Sequence, residues 1–189
     1  MSKNEDYDIK IFSPAKAADE TEPVVIADEM KRQVISGNIQ KAKKLGKDIA
    51  DSFPQAAEKK ELINMAKDCG VDLTRMIKDQ AIILSVFTAE YCIDRSMPSI
   101  LSTTATSMLY DTLIEDSPDL YNNLLSSTAF SFYYMNLKSN KVSSEDIGVT
   151  FSMLCGDKNS SALRCYGQTV FEHSFEEYKN SVEAVDFAD

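Results

Sequence analysis

One histidine, His173, and no tryptophan stand in a chain of 189 residues, which 6 glycines and 5 prolines interrupt. A lone histidine removes every template that needs two: H-E-x-x-H zinc sites, paired E-x-x-H di-iron sites, His-rich phosphohydrolase sites and two-His zinc fingers. Glycine is too sparse to form a phosphate cradle, and neither G-x-x-x-x-G-K-[ST] nor G-x-G-x-x-G occurs. The nucleophile elbow G-x-S-x-G is missing as well. The most apolar stretch, Ala81 to Ile93, is interrupted by Ser85, Thr88 and Glu90. It falls short of the ~20 apolar residues of a membrane span and reads as a core helix, so no membrane association is expected. Positive charge is also in deficit, with 20 basic against 30 acidic residues and a net charge of −10. That balance disfavours non-specific binding to nucleic acid or anionic lipid.

What is present fits a folded domain. Hydrophobic residues make up 43% of the chain, which excludes disorder throughout and low-complexity classes. A chain of this length buries roughly 70% of its unfolded surface without help from a metal or a disulfide, so stability gives no clue to a cofactor, and with no cofactor motif present none is expected. Met1 is followed by Ser2, Lys3, Asn4, Glu5 and Asp6, with no basic start leading into an apolar stretch, and the expected compartment is the cytoplasm. Cys69, Cys92, Cys155 and Cys165 form no C-x-x-C pair and read as reduced, buried, small hydrophobes. Cys155 with Cys165, the nearest pair, is the alternative, as a regulatory disulfide.

Residues 1–23 read as an acidic tail, disordered or extended, with Glu5, Asp6, Asp8, Asp19, Glu20 and Glu22 and no helical period. Within it Tyr7, Ile9 and Ile11 alternate with Asp8, Lys10 and Phe12, a period of two that suits a strand or docking peptide. From residue 24 to 189 the apolar spacing is three or four, which predicts one all-α domain, a compact globular bundle of seven or eight helices. The expected elements are 24–36, broken or kinked at Gly37 before 38–52, then a third from Pro54 to Gly70 and a fourth at 73–95 capped by Asp72. Pro98 opens the fifth, and Ser117-Pro118 opens a sixth whose apolar positions run from Leu120 to Leu137. Ser143 with Asp146 is a capping-box pattern, Gly156 ends that helix, and Asn159 or Ser160 caps the last, to about residue 185. The fourth and sixth helices are apolar nearly all round and are expected at the centre, with the first, third and last as amphipathic cover.

Two sets of residues are candidates for function. Residues 31–78 hold eleven basic against six acidic residues, net +5, while the rest of the chain holds nine against 24, net −15. Within this basic stretch Lys41, Lys43, Lys44 and Lys47 form a partner-binding candidate set, the plain counter-reading being a solvated helix face. Glu90, in an otherwise apolar stretch, needs a partner: Arg95, Arg75 or a tyrosine hydroxyl. With Met108, Tyr110, Tyr133 and Tyr134, near threonine- and serine-rich helices, it outlines a ligand pocket, against which stands simple core packing. A carboxylate metal cage from Glu90, Asp94, Asp111, Glu115 and His173 is a third reading. Cys165 and His173, eight residues apart on one helix, do not face each other as a thiolate–imidazole pair. The leading expectation is therefore a non-enzymatic interaction or regulatory domain with an unknown protein partner, homo-oligomers included. A small-molecule-binding bundle is the alternative.

Overall fold

Glycines punctuate the helices where the chain must turn. The computed structural model describes residues 22–53, 60–138 and 143–188. α1 (Glu22–Ile35) and α2 (Asn38–Ser52) meet at Gly37, whose φ of 77° is left-handed, so of the two expectations, break or kink, the chain takes the break. α3 (Lys60–Asp68) ends before Gly70 (φ 71°), and α8 (Ser144–Leu154) before Gly156 (φ 85°). The acidic tail and Pro54 lie outside the described residues, except that Glu22 and Pro23 already belong to α1.

Hydroxyl caps set the other starts. Ser143 accepts from the Asp146 N–H at 3.2 Å, the serine half of the expected box, and its hydroxyl donates to the Asp146 carboxylate at 3.0 Å, while Ser160 accepts from the Leu163 N–H at 3.2 Å to open α9 (Ser161–Glu183). α4 (Arg75–Ser96) is capped by Thr74, whose hydroxyl accepts from the Ile77 N–H at 3.3 Å, and not by Asp72. Pro98 precedes α5 (Ser99–Asp116), and Pro118 takes the first position of α6 (Pro118–Ser126). The single sixth helix expected from Leu120 to Leu137 is two. Ser127 adopts an extended conformation (φ −87°, ψ 135°), and its hydroxyl accepts from the Ala129 N–H at 3.1 Å to start α7 (Ala129–Lys138). Among the described residues there are nine helices and no strand.

α4 is the buried axis: Ala81, Ile83 to Ala89, Cys92 and Ile93 are all inside. α9 lies along it, α5, α7 and α8 flank it, α2 packs on α5 and α8 on α9. Two hydroxyls meet at the α4–α9 crossing, Ser85 and Ser174, with oxygens 3.2 Å apart. The expectation that α1 covers the centre fails. α1 touches the body through α2 and leaves Ile26, Met30, Val34 and Ile35 exposed. The aromatic run of α6 and α7 is likewise not central throughout, with Leu125, Phe132 and Met135 at the surface.

Missing side chains set two of the crossings. A Cβ on Gly46 of α2 would sit 2.1 Å from the Ala105 carbonyl oxygen of α5, and one on Gly148 of α8 would sit 2.4 Å from the Arg164 carbonyl oxygen of α9. Ser102 and Ala105, from the small-residue run of α5, are buried, which is close packing between helices.

The cysteine reading is corrected. Cys69, just past α3, and Cys165 on α9 form a disulfide with Cα atoms 5.8 Å apart and 96 residues between them in sequence. Cys92 and Cys155 are free and buried as expected, and burial pushes both thiols up to about 12.

Replacing Gly46 with Ala should push α2 off α5. We expect a net destabilisation of about 1–3 kcal/mol in urea unfolding, despite the roughly 1 kcal/mol by which alanine favours a helix over glycine. An unchanged or raised midpoint contradicts so close a crossing.

Candidate functional site

Glu90 leaves the apolar run of α4 at the rim of the core, and two phenols reach it. The Tyr110 hydroxyl of α5 donates to one carboxylate oxygen, and the Tyr134 hydroxyl of α7 donates to the other at 2.5 Å. Both bonds run to a carboxylate and tie three helices to one side chain. Phe87, one turn earlier on α4, packs against Tyr134 (ring centroids 5.1 Å), Tyr133 (5.0 Å) and Phe130 (5.6 Å), while Tyr121 lies edge-on to Tyr110 at 6.4 Å. Burial, then the negative charge of Glu90, raises the Tyr110 and Tyr134 hydroxyls above their ordinary range. The two arginines weighed as partners for Glu90 are engaged elsewhere. Arg95 donates to the Tyr91 hydroxyl at 2.6 Å with its guanidinium 5.4 Å from that ring, and Arg75 lies 3.9 Å from Asp79.

The proposed pocket set therefore divides. Glu90, Tyr110 and Tyr134 come together, and their polar atoms satisfy one another. Met108 stands half-buried on α5. Tyr133 is fully buried, near Cys155, and its hydroxyl has no hydrogen-bond partner among the described residues.

The lysine set divides too. Lys41 and Lys44 line a surface cleft of about 640 Å³ between α2 and the end of α9, over an apolar floor of Leu45, Ile49, Tyr178 and Val185. Lys41 donates to the Asp186 carbonyl, and Lys44 pairs with Asp48. Lys43 and Lys47, one turn apart, are exposed on the outward side of α2. The cleft wall is fixed by Asn38, which is 1% exposed. Its amide donates to the Ala188 carbonyl at 2.7 Å and to Gln33 at 2.7 Å, and its oxygen accepts from the Ala188 N–H at 2.9 Å. Clefts of about 330 and 560 Å³ lie between the start of α4 and α6, sharing Asp79, Ile83 and Asn123. None of the three clefts is lined by Glu90, Met108, Tyr110, Tyr133 or Tyr134.

No group of three or more His, Cys, Asp or Glu with metal-binding geometry forms among the described residues, so Glu90, Asp94, Asp111, Glu115 and His173 are not gathered into one cage. His173 is half-exposed on α9, 4.0 Å from Glu177. Cys165 is held in the disulfide and offers no thiolate. Three features escaped the sequence reading: the α2–α9 cleft, the Asn38 clamp and the disulfide. The clamp joins residues 150 apart and the disulfide residues 96 apart, and no local pattern reports either pairing. Compared with known proteins, the chain matches no family model, no curated protein and no solved structure.

Tyr110→Phe and Tyr134→Phe should each cost about 1.5–3 kcal/mol, with strong coupling in a double-mutant cycle because both phenols serve one carboxylate. The two hydroxyls ionise later in the folded state than in the unfolded one. Their contribution to stability is thus complete below the unfolded value of about 10 and is lost as pH rises above it. Alkaline titration followed by phenolate absorbance should show these tyrosines ionising only as the chain unfolds. Asn38→Ala should cost about 1–3 kcal/mol and speed amide exchange at Ala188, since it strips a buried clamp of its polar partners.

Proposed function

We propose that this chain is a non-enzymatic helical interaction domain whose partner, a protein, docks on the α2–α9 face. One observation carries the reading: a cleft of about 640 Å³ joins an apolar floor to a mixed charged rim, Lys41 and Lys44 with Asp48, Glu177 and Asp186, beyond which Lys43 and Lys47 stand exposed on α2. An apolar centre with a charged rim is the anatomy of a protein-binding groove, and the lysines set orientation and on-rate against an acidic partner. The acidic remainder of the chain, net −15, disfavours nucleic acid as that partner and makes a second copy an option for it. The interior offers less to chemistry, because the one carboxylate within the apolar stretch of α4, Glu90, is spent on two phenols.

The compartment follows less simply. No helix among the described residues is long and apolar enough to cross a membrane. Against the expected cytoplasm stands the Cys69–Cys165 disulfide, which suits an oxidising environment, since cytosolic thiols are kept reduced.

Lysine-directed crosslinking of the natively purified protein should place partner crosslinks on Lys41, Lys43, Lys44 and Lys47. The pair Lys43→Glu and Lys47→Glu should weaken the captured complex at least about tenfold and flatten its salt dependence, with little change in thermal midpoint. Native mass spectrometry of the same preparation tests the alternative. A retained organic ligand with no bound protein would replace this reading with a small-molecule-binding bundle, and a bare monomer that captures nothing would overturn it.

A further inference from the structure

The Cys69–Cys165 bond holds a small element to a large one. α3 has nine residues, buries only Leu62 and Ala66 fully, and packs chiefly on α9. The connector beyond it, residues 69–74, is non-helical and places Val71 and Leu73 in half-buried positions. Against this modest apolar contact, the disulfide is the covalent tie between the 60–74 segment and α9. The two residues differ in exposure: Cys165 is exposed and Cys69 half-buried. A disulfide that a thiol can reach, at the end of a lightly anchored helix, has the attributes of an exchange site, whereas Cys92 and Cys155 are inert by burial.

We propose that Cys69–Cys165 is a thiol–disulfide exchange site for a dithiol reductant, and that its opening releases residues 60–74 from α9. One thiolate of the dithiol attacks the Cys165 Sγ. A mixed disulfide forms as the Cys69–Cys165 bond breaks, and the electron pair leaves on the Cys69 sulfur, which takes a proton from water. The second thiolate of the reductant then attacks its own sulfur in the mixed disulfide. Cys165 is released as a thiolate and protonated, the reductant closes to its cyclic disulfide, and two electrons pass to the protein.

Hydrogen-exchange mass spectrometry of the full chain, before and after dithiothreitol, tests this, with alkylation in denaturant counting two free thiols before and four after. Amides of 60–74 should exchange at least about tenfold faster once reduced, while those of α8 and of residues 81–93 keep their protection. Brief exposure to glutathione followed by an acid quench should leave the mixed disulfide on Cys165. The pair Cys69→Ser and Cys165→Ser should reproduce the reduced pattern without reductant; if that variant does not fold, the reduced wild-type protein decides. Unchanged protection of 60–74 after confirmed reduction, protection lost evenly over all helices, resistance of the bond to dithiothreitol in the native state, or four free thiols before any reductant would each overturn the proposal.

Discussion

A helix with no polar face has to be covered on every side, and α4 is such a helix from Ala81 to Ile93. Apolar surface left in water costs about 25 cal/mol per Å², so the positions of its neighbours follow from it. α9 takes one flank, close enough for Ser85 and Ser174 to touch, and α5, α7 and α8 take the others. α2 and α8 then bury their own stripes against α5 and α9, at crossings that Gly46 and Gly148 leave room for. Glu90 is the exception that α4 carries, and the cost of a carboxylate at the edge of such a helix is offset by hydroxyls donated from two of the covering helices.

The polar groups of this protein fall into two populations. Those at the core satisfy one another: Glu90 with its phenols, Asn38 with the chain end, Thr88 with the Leu84 carbonyl at 2.7 Å. The Tyr133 hydroxyl and the Gln80 side-chain oxygen stand apart, both buried and without a partner among the described residues. The outer population consists of ion pairs within single helices, such as Lys44 with Asp48 and Lys179 with Glu183, which contribute little to stability.

Where local chemistry decides, the sequence was legible. A glycine at positive φ ends a helix and a serine hydroxyl starts one, and Gly37, Gly70, Gly156, Ser143 and Ser160 could each be placed for those reasons. The central position of α4 was readable from the width of its apolar arc. Where two local solutions compete, pattern alone does not choose: Asp72 and Thr74 are both competent caps two residues apart, and the hydroxyl won. The break at Ser127 has no glycine or proline to announce it, and the apolar spacing runs through it from Leu120 to Leu137. Of the candidate pocket set, Glu90, Tyr110 and Tyr134 come together, and their pairing was not legible. A tyrosine hydroxyl was among the partners open to Glu90, yet only the packing of α5 and α7 on α4 selects Tyr110 and Tyr134 and turns Tyr133 inward. The cysteine pairing was misread, because a bond between residues 96 apart depends on which helices become neighbours.

In covalent terms the oxidised chain is a closed ring, from Cys69 to Cys165, with two open tails of 68 and 24 residues. The α2–α9 cleft belongs to neither the ring nor one tail. Lys41 to Ser52 lie on the first tail and Glu177 to Asp186 on the second, so the cleft exists only where the two tails meet. A backbone cut anywhere within the ring leaves both walls in one covalent molecule. A single cut between Ser52 and Cys69, or between Cys165 and Glu177, parts them into two.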